Sequence, residues 1–145
     1  MLCVDVNVLV YAHRREAERH DEYRSWLDAA RQGAEPVGVS DLVLSGFIRV
    51  VTHPRVFVEP TPLATALSFA EVLRTAPAAV KVTPGPRHWE LFRGLCENAG
   101  ARGNAIPDAY LAALAIELGA TWISADRGFS RFPTLRWRHP LDPAA

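Results

Sequence analysis

Four times along this chain a short, mainly apolar run stops at a polar or turn-forming residue and gives way to a stretch with helical spacing. The runs are Leu2-Cys3-Val4, Val37-Gly38-Val39, Val80-Lys81-Val82 and Thr121-Trp122-Ile123-Ser124. Each is too short for a helix and apolar enough for a strand buried on both faces. Between them the spacing predicts a short helix after Asp5 that includes Tyr11, then helices over Glu18–Arg31 and Leu42–Val51. Further helices are predicted from Thr61-Pro62 to before Pro77, over Arg87–Ala99, and from Asn104 to the stop at Gly119. The tail Leu135-Arg136-Trp137-Arg138 reads as a fifth strand at an edge. Alternation of this kind predicts an α/β fold with a short central parallel sheet of four to five strands and helices on both faces. Ligands in such sheets bind beyond the carboxyl ends of the strands.

The 145 residues fit one domain, assigned here to residues 1–145. Sixteen acids balance sixteen lysines and arginines, which argues against a protein that holds nucleic acid by bulk charge. Fifteen of those sixteen bases are arginine, whose planar fork suits phosphate, but a GC-rich genome, which also accounts for the many alanines, is the favoured explanation of the bias. Cys3 and Cys96 lack metal or redox spacing and read as small hydrophobes in a reducing compartment. The N-terminus lacks the basic start of a signal peptide, and no apolar run approaches membrane-spanning length. The expected location is the cytoplasm, with no membrane partner.

Three aspartates stand beside buried positions. Asp5 ends the first strand, Asp126 follows the fourth, and Asp108 lies in the first turns of the Asn104 helix, which carries the stripe Leu111, Leu114, Ala115 and Leu118. Each has an ordinary explanation. Asp5 caps a helix, Asp126 makes an Asx turn, and Asp108 favours the positive end of its helix. Together they point elsewhere, because carboxylates converging at one rim repel each other unless a cation joins them. A hard divalent ion with oxygen ligands, Mg²⁺ or Mn²⁺, fits that set.

Asp5-Val6-Asn7-Val8-Leu9-Val10, Gly103-Asn104-Ala105-Ile106-Pro107-Asp108-Ala109 and Ser124-Ala125-Asp126-Arg127-Gly128-Phe129 resemble the successive motifs of PIN-domain ribonucleases. More narrowly they resemble VapC toxins of bacterial toxin–antitoxin pairs. The resemblance implies a metal-dependent endoribonuclease that acts on RNA, is neutralised by a cognate antitoxin and forms a homodimer. It implies metal-ligand roles for Asp5, Asp108 and Asp126. By the same resemblance Asn7 orients a carboxylate or water, and Ser124 supports the site by hydrogen bonding. Two positions depart from the family pattern. Gly46 stands where a glutamate is usual, and Gly128 where many relatives carry a further acid. Asp41, near Gly46, is a candidate substitute, or an N-terminal cap for the Leu42 helix.

The chemistry implied is hydrolysis of a phosphodiester to a 5′ phosphate and a 3′ hydroxyl, on single-stranded RNA whose bases can reach a small site. Arg14, Arg15, Arg102 and Arg127 are candidate phosphate contacts or plain surface residues. Trp89, Trp122 and Trp137 read as core or interface. A phosphotransferase or dehalogenase-like enzyme with Asp5 as nucleophile is disfavoured, because Asn7 stands where a second acid is wanted. A Ser/His/Asp triad finds no support in the scattered histidines. A PIN scaffold short of acids, binding RNA or antitoxin without cutting, stays open on Gly46 and Gly128.

Overall fold

Leu2–Val4 forms β1, Val37–Val39 β2, Ala79–Lys81 β3, Thr121–Ile123 β4 and Trp137–Arg138 β5, in a computed structural model that describes residues 1–143. The helices are α1 (Val6–His13), α2 (His20–Gln32), α3 (Asp41–Val51), α4 (Leu63–Arg74), α5 (His88–Ala99) and α6 (Ala105–Leu118). A 3₁₀ turn follows over Arg127–Arg131. All strand pairs are parallel, in the order β3-β2-β1-β4-β5. β1 and β2 are buried at every residue, while the edge strands β3 and β5 are partly open.

Crossover handedness explains where the helices lie. The first two crossovers step outward from β1 to β2 and β3, and the third returns across the sheet to β4. Parallel connections are right-handed almost without exception, so reversing the step moves the connecting helices to the opposite face. Accordingly α1 packs on α2 and α3, and α3 on α4, while α5 and α6 pack on each other. The α/β class, the parallel sheet and its two helical layers agree with the reading of the sequence.

Local differences have local causes. The second helix starts at His20, not Glu18, because Arg19 adopts a left-handed conformation (φ 61°). β3 is displaced by one residue, although buried Val82 still donates its N–H to Val39 O at 3.1 Å. In α6 the deepest positions are Ala109, Ala112, Ala113, Leu114 and Ala115, with Leu111 and Leu118 only half-buried. Small alanines let this helix sit close to its neighbours, which shifts the buried stripe. Trp122 is buried and Trp137 half-buried, but Trp89 is 63% exposed and belongs to no core. Among the described residues, no helix is long and apolar enough to cross a membrane.

β2 also approaches β1 too closely for a side chain at Gly38. A Cβ there would lie 2.7 Å from Cys3 Sγ and 3.2 Å from both Met1 Sδ and Val82 Cγ1. Cys3 is a free thiol, and burial pushes its pKa up to about 11, so it serves as an inert hydrophobe. Gly38→Ala is expected to lower stability by about 1–3 kcal/mol through overpacking. Gly94 lies inside α5 with nothing within 4 Å of an added Cβ. Gly94→Ala is expected to raise stability by roughly 0.5–1 kcal/mol, since alanine favours a helix interior. Urea denaturation of both variants checks the pair, and equal effects would refute it.

Candidate metal centre

β1 and β4 lie side by side, and from this seam the chain leaves in opposite directions, toward β2 on one side and β5 on the other. That is the topological switch point at which open parallel sheets gape. Val4 pairs with Ile123 in register, so the next residues along, Asp5 and Ser124, meet where the strands end. Asp5 donates its N–H to Ile123 O at 2.8 Å, extending the ladder by one bond.

Asp5 is 8% exposed, and three donors meet its carboxylate, two of them on Oδ2. Oδ1 accepts from Val6 N at 2.7 Å, which caps α1. Oδ2 accepts from Ser124 Oγ at 2.6 Å and from Asn7 Nδ2 at 3.3 Å. Asn7 Nδ2 also reaches Ser124 Oγ at 3.2 Å, and its Oδ1 accepts from Ala125 N at 3.1 Å. Ser124, wholly buried, accepts in addition from Asp126 N at 3.0 Å, and its carbonyl from Trp137 Nε1 at 3.1 Å. Asn7 and Ser124 therefore clamp Asp5 and also tie down the turn that carries Asp126.

Asp126 is exposed, and its Oδ1 accepts from Gly128 N at 2.8 Å in the Asx turn that opens the 3₁₀ segment. Asp108, in the first turn of α6, is half-buried. All three aspartates line one cleft of about 420 Å³. Its other wall includes Val10 and Tyr11 of α1, Val50 of α3, and Val56 and Phe57 from the connection between α3 and α4.

Burial first, then the charges of Asp108 and Asp126, push the Asp5 pKa up to about 6, against the lowering effect of the Ser124 and Val6 hydrogen bonds. Asp108 is also raised, by burial and by Asp126, with Arg131 opposing. Fully ionised, the cleft carries excess negative charge that only a cation relieves. Its donors are all oxygen, as a hard divalent ion requires. No group of three His, Cys, Asp or Glu among the described residues is drawn together in ligating positions. Asp126 is turned to the Gly128 amide, and Asp108 faces Arg131 at 3.9 Å. Each has one such contact, whereas three hydrogen bonds hold Asp5. The donor set fits such an ion.

Asp41 does not join the cleft. It is the first residue of α3 and pairs with Arg74 at 3.1 Å and Lys81 at 3.8 Å, while Ser40 holds the cap position without a side-chain bond. Gly46 adjoins the site only through Val6, whose Cγ2 would stand 3.0 Å from a Cβ at position 46. Arg14 is committed to Glu16 and Thr61, and Arg127 to Asp142. Tyr11, Val56, Phe57 and Arg131 were not singled out as site residues by the sequence. The one signal for the loop was its apolar trio Val56-Phe57-Val58 in an otherwise polar connection, with Val58 fully exposed. A second groove of about 320 Å³, between α2 and α4, contains none of the three aspartates.

Comparison with known proteins identifies the family and the fold. The chain is 57% identical to ribonuclease VapC43 of Mycobacterium tuberculosis over 142 residues, covering 98% of this chain and 97% of the relative. It is 41% identical to ribonuclease VapC25 of the same organism over 140 residues, covering 97% and 99%. The VapBC2 structure from Rickettsia felis, bound to a DNA fragment from its promoter, superposes with a TM-score of 0.70 at 18% identity, covering 95% of this chain and 97% of that one. The family model for the PIN domain matches residues 2–135, and this chain belongs to the PIN domain family.

Proposed function

We propose that this protein is a metal-dependent endoribonuclease toxin of the VapC type, cutting RNA and restrained by a cognate antitoxin in the cytoplasm. The observation that carries the reading is the convergence of Asp5, Asp108 and Asp126 on one cleft at the switch point of the sheet. The 57% identity to a named ribonuclease along nearly the whole chain supports the same activity.

Asp5, Asp108 and Asp126 are the residues that would hold Mg²⁺ or Mn²⁺. An ion bound there supplies Lewis-acid activation of water and neutralises charge at phosphorus. Asn7 and Ser124 keep the Asp5 carboxylate in one orientation, so this ligand needs no reorganisation of its own. Tyr11, Val56 and Phe57 form an apolar wall against which an unstacked base of single-stranded RNA can lie. Phosphodiester hydrolysis at this cleft leaves a 5′ phosphate and a 3′ hydroxyl.

The same wall and acidic floor suit an antitoxin segment that lays apolar residues on Val56 and Phe57 and sends a basic side chain toward the aspartates. Solved relatives include VapBC and FitAB assemblies. A homodimer is supported by Leu42 on α3 and Leu63 and Leu67 on α4, all about half exposed. A second reading, a scaffold that binds RNA without cutting it, draws on Gly46 and Gly128 and on the absence, among the described residues, of three acids in ligating positions.

Cleavage of single-stranded RNA in Mg²⁺ or Mn²⁺ is expected to disappear in EDTA and in Asp5→Ala. Ser124→Ala is expected to lose about 10–100-fold in activity, as loss of a supporting hydrogen bond at a metal site does. RNA binding without cleavage by the wild type would instead select the scaffold reading.

The raised pKa of Asp5 gives a further expectation. Its folded value, about 6, lies above its ordinary 3.8, so folding disfavours the ionised form and stability is recovered as pH falls through 6 toward 4. That rise corresponds to ~3 kcal/mol at most. His13 and His139, with pKa values lowered chiefly by burial, lose stability over part of the same range, so the measurement must be a difference. In metal-free protein, the stability of the wild type relative to Asp5→Asn is expected to rise between pH 7.5 and pH 5. A difference flat with pH would refute the assignment of strain to Asp5.

A further inference from the structure

Arg131 closes the 3₁₀ segment, and its backbone is fixed by the burial of Phe129 and Phe132 on either side. Its Nε donates to Gly128 O at 2.7 Å, folding the side chain back across the turn. The guanidinium thereby reaches Asp108 Oδ2 at 3.9 Å with 39% of the side chain exposed. Among the described residues Asp108 is its one carboxylate partner, whereas Arg14 and Arg127 are paired away from the aspartates.

Gly128 explains how the arginine gets there. A Cβ at this position would stand 2.5 Å from Arg131 Nη2 and 2.9 Å from Asp126 Oδ1, while the backbone does not adopt a positive φ. What the glycine gives here is room, not conformation, because a side chain at 128 would push the end of Arg131 aside. The absence of a side chain at 128 and the presence of a guanidinium beside Asp108 are one feature.

We propose that Arg131 is a phosphate-holding residue that doubles as the cleft's resident counter-cation, closing on Asp108 in the empty site and turning to the RNA backbone when a divalent ion takes that carboxylate. The inference rests on the nuclease reading of the cleft. A divalent ion at Asp108 repels the guanidinium, and the nearest remaining anion is the phosphate being held. Arginine's planar fork can meet two phosphate oxygens at once. Arg131 and the ion therefore compete for Asp108 before substrate arrives and cooperate afterwards.

The test uses the full chain, with Mn²⁺ binding followed by the electron paramagnetic resonance signal of the free ion, in the absence of RNA. Arg131→Gln and Arg131→Met each remove the competitor and leave the turn that carries Asp126 unaltered. Both variants are expected to bind Mn²⁺ more tightly, on the order of threefold for a partly exposed pair. On a short single-stranded RNA at saturating Mn²⁺, both are expected to raise KM by about tenfold, the scale of a lost hydrogen bond to a charged group, with a smaller change in kcat. Arg131→Lys should recover part of that loss.

Unchanged or weaker Mn²⁺ binding in both variants, or an unchanged KM, would overturn the proposal while leaving the nuclease reading intact. A wild type that binds no Mn²⁺, or binds it as well after Asp5→Asn, would overturn both.

Discussion

Burying a carboxylate at the seam between β1 and β4 is the constraint around which this molecule is arranged. The parallel register delivers Asp5 beside Ser124, and a carboxylate that burial strips of water needs donors. Val6 N, Ser124 Oγ and Asn7 Nδ2 supply three, leaving Oδ1 room for a further partner. These donors cannot remove the charge itself, and so the Asp5 pKa stays high. The residue is costly to the fold when empty and useful when a cation shares it, a common trade of stability for function.

The opposite half of the cleft is built differently. Asp108 and Asp126 come from a helix start and an Asx turn, are more exposed, and face replaceable partners. One side of the site is thus held rigidly by hydrogen bonds, while the other can rotate to meet what arrives. The connection from α3 to α4 closes the wall, pinned at its end by Thr61 N donating to Val51 O at 2.8 Å. Thr61 Oγ1 also lies 3.1 Å from His13 Nε2 and 3.0 Å from Arg14 Nη1. That anchoring places Val56 and Phe57 over the aspartates while leaving Val58 in solvent.

Gly46 and Gly128, the two positions that depart from the family pattern, have different physical causes. At 46 a side chain would start against Val6, the residue that follows Asp5. At 128 it would start inside the guanidinium of Arg131. The near neighbour is apolar in one case, a methyl of Val6, and cationic in the other, the end of Arg131.

The strand-and-helix alternation and the three aspartates at element ends were legible from local chemistry: apolar runs bury, and a polar residue at a strand end marks an edge. The supporting roles of Asn7 and Ser124 were legible only through the resemblance to PIN-domain motifs, and the structure shows both bonded to Asp5. Helix boundaries were legible to within a residue or two, the start of α2 shifting by two where Arg19 takes a left-handed turn that no neighbour announces. Tertiary structure alone decided that Asp41 turns away to Arg74 and Lys81, that Trp89 is solvent-facing, and that Val56 and Phe57 reach the aspartates. It alone placed Arg131 against Asp108, 23 positions earlier in the chain. Such contacts join segments that share no periodicity, and their existence depends on crossover direction and on the space left by particular glycines. Neither is written in any local stretch of residues.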